Sequence, residues 1–180
     1  MKEYTFENIK TLKLLKIKVV TLSDRASRGE YEDISGPTII KFLEEYFTEK
    51  KWKFEIDYNV IPDDANLLRK IIIDTKNNDF DFIFTTGSTG ISPRDIVPET
   101  VKPLVEKEIP GIMELIRVKY GMKIPNAVLS RGIAGIIGQA QIYTLPGSVK
   151  AVKDYMTEIL KTAEHLIYMF YGIDVHKKHR

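Results

Sequence analysis

No cysteine occurs in the 180 residues, which excludes a disulfide framework, a thiolate metal site and a cysteine nucleophile. Histidine is scarce: only His165, His176 and His179 are present. His165 falls within a helical pattern and reads as packed or solvent-facing. His176 and His179 sit in a basic tail, where their spacing suits a metal only if the tail is ordered. The formal net charge of +2 is too small for a nucleic-acid binder held by counterion release. No apolar run reaches the about 20 residues of a membrane helix. Lys2, Glu3, Glu7, Lys10 and Lys13 interrupt the apolar core that a signal peptide requires. These absences lead to the expectation of a cytoplasmic protein with neither nucleic acid nor membrane as partner. The single tryptophan, Trp52, stands among lysines and reads as cover for a sheet or an interface, not as a stacking platform for a base.

What is present is ordinary globular composition, 43% hydrophobic and 29% charged, in a length that suits one domain. The β-branched run 17–22 (IKVVTL) predicts a strand buried on both faces. Segment 54–61 (FEIDYNVI) alternates and predicts a half-exposed strand near a sheet edge. Segments 80–86 (FDFIFTT) and 141–145 supply two more strands. Ser35-Gly36-Pro37 has the chemistry of a helix start, with Ser35 as cap. Helical spacing continues through Ile39, Ile40, Leu43, Tyr46 and Phe47, and again through Leu67, Leu68, Ile71 and Ile72. Two short helices, 98–107 and 111–120, are expected on either side of Pro110. Residues 127–129 read as a short extended piece, and 133–137 is ambiguous. A long helix over 149–170 turns Val152, Tyr155, Met156, Ile159, Leu160, Ala163 and Leu166 inward. Strands alternating with helices predict an α/β domain with a mainly parallel sheet and helices on both faces.

In such sheets ligands bind beyond the carboxyl ends of the strands. Four polar segments fall there: 23–29, 62–64, 85–95 and 146–148. The most informative is Thr85-Thr86-Gly87-Ser88-Thr89-Gly90, followed by Pro93-Arg94-Asp95. Its glycines permit close approach to the backbone, successive amides form a nest for phosphate, and Arg94 offers a fork-shaped cation. The lysine and spacing of a Walker loop are absent; a plain strand-to-helix turn is the competing reading. Asp63 and Asp95 each lie just past a predicted strand. Two carboxylates facing bound phosphates suit magnesium, whereas an acid directly before a helix, Asp63 or Asp64, is equally read as a cap. Ser23 and Asp24 follow the first strand, with Asp24 placed to receive an amine or to pair with an arginine. Ser130-Arg131 and Gly147-Ser148 are further candidates for anion contacts, or simply turn and cap residues.

Taken in order, TLSDRASRGEYED, IPDD, TTGSTGISPRDIVPE, EIPGIMELIR, NAVLSR and LPGSVKAV resemble the MoaB/Mog family of molybdenum-cofactor biosynthesis proteins, the molybdopterin adenylyltransferases. The resemblance covers about 16–171, flanked by an N-terminal extension, 1–15, and a tail, 174–180. It implies a three-layer α/β/α fold and a trimer or hexamer. It also implies adenylyl transfer from Mg-ATP to the molybdopterin phosphate, with a downstream metal-inserting enzyme taking the product. Asp63 and Asp95 match the two acids important for that activity. Thr86, Gly87, Ser88, Thr89, Gly90 and Arg94 match the nucleotide loop, and Ser23, Asp24, Ser130, Arg131, Gly147 and Ser148 fall in the loops around the pterin and its phosphate. Ser88 departs from the family's TTGGTG pattern, where a second glycine stands. A binding or scaffold protein on the same fold is the competing class, and the related metal-insertion domain and a generic nucleotide binder are the others.

Overall fold

The computed structural model describes residues 4–174, so His176, His179 and nearly all of the expected tail lie outside the described residues. A short helix α1 (Ile9–Leu12) leads into β1 (Leu14–Leu22), the one-turn helix α2 (Asp24–Ser27), α3 (Ser35–Glu49) and β2 (Lys53–Ile61). Next come α4 (Ala65–Asn77), β3 (Phe82–Thr86), α5 (Val97–Val101) with a 3-10 turn (Lys102–Leu104), and β4 (Lys107–Glu108). The chain closes with α6 (Pro110–Gly121), a 3-10 turn (Pro125–Leu129), β5 (Ala134–Ile137), β6 (Ala140–Leu145) and α7 (Val149–Phe170).

The strands form one sheet in the order β2-β1-β3-β6-β5-β4. β2, β1, β3 and β6 run parallel, while β5 is antiparallel to β6 and β4 to β5. β2 occupies an edge, as its alternation requires, since one of its faces stays wet. β3 and β6 are buried throughout and β1 from Ile17 onward, and these stretches are rich in Val, Ile, Phe and Thr. One face is covered by α3, α6 and α7 through Ile39, Leu43, Phe47, Met113, Ile116, Val152, Met156 and Ile159. The other is covered by α4 and α5 through Leu68, Ile72, Val97 and Val101. This is the expected three-layer α/β/α sandwich. Each fully buried Leu, Ile or Phe in these layers contributes about 1.5–3 kcal/mol.

Several local expectations need correction. Pro110 does not separate two helices but begins α6, where its missing N–H is no loss; the segment before it is α5, a 3-10 turn and β4. Residues 127–129 are helical, belonging to a 3-10 turn opened by Pro125. Ser35 does not cap α3. Asp33 does so, its Oδ1 accepting from Ser35 N at 2.9 Å and its Oδ2 from Gly36 N at 3.0 Å. The buried stripe of α7 passes through Ala163 to Ile167 and Tyr168, four and five residues on, and leaves Leu166 half-buried. β1 begins at Leu14, earlier than its β-branched run, because its start pairs in register with β2.

Residues 4–13 strap the far end of the molecule. Tyr4 meets Tyr171 with ring centroids 4.8 Å apart, and Phe6 meets Tyr168 at 5.2 Å. Lys10 pairs with Glu164 at 2.6 Å, and Lys13 with the buried Asp81 at 2.9 Å. Trp52 is buried there, its Nε1 donating to Glu164 at 2.9 Å.

For function, the decisive feature is register. Leu22 pairs with Ile61, Thr21 with Thr86, and Thr86 with Leu145. The four parallel strands therefore end level, and their four following loops crowd one rim. From β1 the chain crosses to β2 on one side, and from β3, its other neighbour, it goes toward β4, β5 and β6 on the other. A crevice opens at such a switch point.

Candidate active site

At that crevice the rim is hollowed into a cavity of about 650 Å³, walled by loops that follow β1, β2, β3 and β6. Asp24, Asp63, Ser88, Arg94, Asp95 and Gly147 all line it. The four loops singled out by sequence thus meet in one place.

Asp63 and Asp64 divide two roles that sequence left open between them. The Asp64 Oδ1 accepts from Asn66 N at 2.8 Å and Leu67 N at 2.9 Å, capping α4. Asp63 is free of that task, and its Oδ1 is buried without a hydrogen-bond partner. Burial pushes the Asp63 carboxyl above its ordinary range, and the nearby Asp24 charge pushes the same way; the Ser88 hydroxyl partly offsets both. An unpaired buried carboxylate oxygen costs free energy unless a ligand meets it.

Asp24 ties three loops together. Its Oδ1 accepts from the backbone of Asp63 at 3.0 Å, and its Oδ2 receives Arg94 Nη2 at 2.5 Å. The Asp63 amide first, then Arg94, hold the Asp24 carboxyl below its usual range. Arg94 is itself largely exposed, so its free donors face the cavity mouth. Ser23 caps α2, accepting from Ala26 N at 3.2 Å, and its hydroxyl also meets Tyr31 at 3.0 Å.

The glycine loop is held by close backbone packing. Gly87 has φ +97°, and a Cβ there would stand 2.3 Å from the Leu22 carbonyl oxygen. Asp95 folds back beneath Gly90, where an added Cβ would lie 2.8 Å from Asp95 Oδ2. The same oxygen accepts from Ser92 N at 2.7 Å. Of the threonine hydroxyls, that of Thr86 is taken by the fold and that of Thr85 is buried without a partner. Thr86 donates to the Pro146 carbonyl at 2.8 Å, Thr85 is fully buried, and Thr89 is buried as well.

Ser88 has φ +55°, so the departure from glycine is strained by roughly 1–2 kcal/mol. Its hydroxyl returns part of this by accepting from Ile96 N at 2.9 Å and donating to the Arg94 carbonyl at 3.1 Å. Each such bond contributes about 0.5–1.5 kcal/mol. Ser88→Gly is therefore expected to leave stability within about 1 kcal/mol of the parent. Ser88→Ala, which keeps the strain and loses both bonds, is expected to fall below Ser88→Gly in a urea melt. The opposite ranking would show that the hydroxyl does not brace the loop.

Arg131 proves to be a brace. Its Nε donates to the Gly90 carbonyl at 2.8 Å, its backbone N to Thr89 O at 3.1 Å, and its guanidinium pairs with Glu99 of α5. Gly147 packs on Gly87, where an added Cβ would lie 3.3 Å from the Gly87 Cα, and Ser148 caps α7 by accepting from Ala151 N at 3.3 Å. A second cavity of about 500 Å³ adjoins the first and shares Ser88, Asp95 and Gly147 with it. Ser130 and Ser148 line this one, along with the apolar Ile91, Ile124, Leu129 and Pro146.

Sequence reasoning missed Asp33, Tyr58 and Tyr155. Asp33 Oδ2 receives the hydroxyls of Thr21 at 2.7 Å and Tyr58, closing the back of the first cavity. Its position two residues before Ser35 was the available signal. Tyr58 and Tyr155 carry none, since each reads as an ordinary apolar position of its strand or helix.

The donor set facing the first cavity is hard oxygen, which fits magnesium shared between carboxylates and phosphates. Among the described residues no group of three or more His, Cys, Asp or Glu could hold a metal ion. Magnesium held by one or two carboxylates would complete its shell with water and with oxygens of a bound substrate. Among the same residues no helix is long and apolar enough to cross a membrane.

The chain is similar to known proteins over most of its length. A molybdopterin adenylyltransferase of Helicobacter pylori strain J99 is 34% identical over 162 residues, covering 89% of this chain and 90% of that protein. A protein of the same name from Pyrococcus furiosus is 38% identical over 160 residues, covering 86% and 90%. The crystal structure of the tungsten cofactor synthesizing protein MoaB from Pyrococcus furiosus superposes with a TM-score of 0.76 at 36% identity, covering 88% of this chain and 98% of that one. Residues 18–165 match the family described as a probable molybdopterin binding domain. With level strand ends, paired cavities and relatives that align over nearly the whole domain, this chain belongs to the molybdopterin-binding domain family of the MoaB/Mog type.

Proposed function

We propose that this protein is a molybdopterin adenylyltransferase of molybdenum cofactor biosynthesis, moving AMP from Mg-ATP to the terminal phosphate of molybdopterin. The observation that carries the reading is the pair of cavities joined at Ser88, Asp95 and Gly147. A transfer between two substrates needs two sites that meet at the reacting atoms. The larger cavity, with Asp63, Arg94 and the amides of the glycine loop, takes the nucleotide polyphosphate. The smaller and more apolar one takes the pterin.

In the reaction a phosphate oxygen of molybdopterin attacks the α-phosphorus of ATP. The new P–O bond forms as the bond to the β-phosphate oxygen breaks, and pyrophosphate leaves. The nucleophile belongs to the substrate, so no serine, cysteine or histidine of the protein is required. What the protein supplies is alignment of two anions and neutralisation of the charge on the leaving group. Asp63 and Asp95 would hold magnesium, which shields the phosphates from one another and stabilises departing pyrophosphate. The loop amides grip the phosphates through the nest geometry. Arg94, already extended at the mouth on Asp24, exchanges that carboxylate for a phosphate oxygen.

The same reading includes a cytoplasmic location, hand-over of the product to a metal-inserting enzyme, and assembly into a trimer or hexamer. Supporting assembly, Leu115 and Val118 of α6 and Met122 just past its end are exposed apolar side chains. Incubation of purified protein with ATP, magnesium and molybdopterin is expected to yield adenylylated molybdopterin and pyrophosphate in equal amounts. Chelation of magnesium is expected to abolish both while pterin binding persists. Tight pterin binding with no turnover in magnesium would favour the scaffold reading instead.

A further inference from the structure

The smaller cavity is lined by two side chains whose buried hydroxyls make no well-formed hydrogen bond. Tyr155, on the first turns of α7, is only 4% exposed, yet its OH has no hydrogen-bond partner. Ser130, at the end of the 3-10 turn, likewise has a buried Oγ with no partner. Both line the same cavity. They face each other in a contact too poorly formed to count as a full hydrogen bond, through which Ser130 opposes the upward push of burial on the Tyr155 phenol.

Leaving a buried hydroxyl unpaired costs about 1–3 kcal/mol, and phenylalanine would fill the same space without that cost. The surrounding core has no need of the oxygen. Tyr155 packs among Met156, Ile159 and Met113 in the main apolar cluster, and Gly132 lies against its ring edge, an added Cβ there reaching Cε1 at 3.5 Å. The ring is a packing element; the oxygen at its tip is not.

The same cavity is also lined by Ile91, Ile124, Leu129 and Pro146. A cavity lined by apolar side chains with a few polar groups among them suits a heteroaromatic ring that carries hydrogen-bonding atoms on its edge. We propose that Tyr155 is a specificity-determining residue for the pterin substrate, its hydroxyl hydrogen-bonding the polar edge of the bicyclic ring beside Ser130. The inference rests on the proposed function above and adds to it a contact from α7, whose buried stripe packs in the main apolar cluster. Because a hydroxyl both donates and accepts, it matches an amide-like edge that an apolar side chain would leave unpaired. Discrimination against flat rings without such an edge follows.

The test is Tyr155→Phe in the full chain, read three ways. Molybdopterin affinity, followed by fluorescence titration under anaerobic conditions, is expected to weaken about tenfold, as loss of one hydrogen bond dictates. The KM for ATP is expected to stay unchanged, because the nucleotide cavity does not include Tyr155. The thermal midpoint without ligand is expected to hold or rise, since an unpaired buried hydroxyl has been removed. Unchanged pterin affinity in the variant would overturn the assignment, as would a lowered thermal midpoint accompanied by equal weakening of both substrates, the mark of a structural hydroxyl. A parent protein that takes up no molybdopterin at all would overturn the proposed function itself, and this contact with it.

Discussion

Asp63→Asn is expected to lower kcat by about 10²–10³, the range seen when one preorganised electrostatic contact to a transition state is removed. The fold should persist. The Asp63 backbone amide still donates to Asp24, and the buried Oδ1 that the change perturbs makes no hydrogen bond within the protein. Neutralising the carboxylate removes a ligand for magnesium and leaves the phosphates facing one another with less compensation. Asp64→Ala supplies the control. It removes the α4 cap at a cost of about 1 kcal/mol in stability and should leave kcat close to the parent value. Steady-state kinetics and urea melts on the two variants separate the readings. Equal activity in Asp63→Asn and the parent would remove Asp63 from the chemistry, and a large stability loss there would make it a structural acid.

Gly87→Ala is expected to have the largest effect on the fold of any single substitution in the loop. The backbone sits at φ +97°, where an L side chain is strained, and the methyl would stand 2.3 Å from the carbonyl oxygen of Leu22. That oxygen belongs to the end of β1 and cannot swing away as a flexible side chain would. Strain and clash together are expected to cost about 3 kcal/mol or more. At the scaling for a chain of this length, that lowers the thermal midpoint by about 6–12 °C. Relief by shifting the loop would instead show as lost activity, because Gly87 N also donates to the Leu145 carbonyl at 3.0 Å and so positions the joint between the cavities. A variant with parental melting and parental kinetics would mean the loop adopts another path in solution. Gly111→Ala is a suitable comparison, since its added Cβ meets nothing.

These two residues illustrate what could be read before any coordinates. The strand periods of 17–22 and 54–61, the long helix over 149–170 and the glycine loop were legible because each depends on contacts local in sequence. Pro110 was misplaced as a divider because a proline signals a helix boundary without saying on which side the helix lies. Residues 127–129 were read as extended because three residues carry no period. Ser35 was read as the cap, yet the capping oxygen came from Asp33, which also bridges Thr21 and Tyr58. That bridge spans two strands, and no local pattern announces it.

The sequence by itself determined the alternation of strand and helix, the absence of a cysteine or credible histidine nucleophile, and the polar loops that follow each parallel strand. Local propensity and hydrophobic period are properties of neighbours in the chain, so they survive in one dimension. Only the tertiary structure decided which acid caps α4 and which faces the cavity, because Asp63 and Asp64 differ in direction and not in chemistry. It alone turned Arg131 from a candidate ligand contact into a brace on Gly90 and Glu99. It also set Ser88 at a positive φ and placed the Tyr155 hydroxyl beside Ser130, because side-chain direction and long-range partners exist only once the sheet brings its level strand ends together.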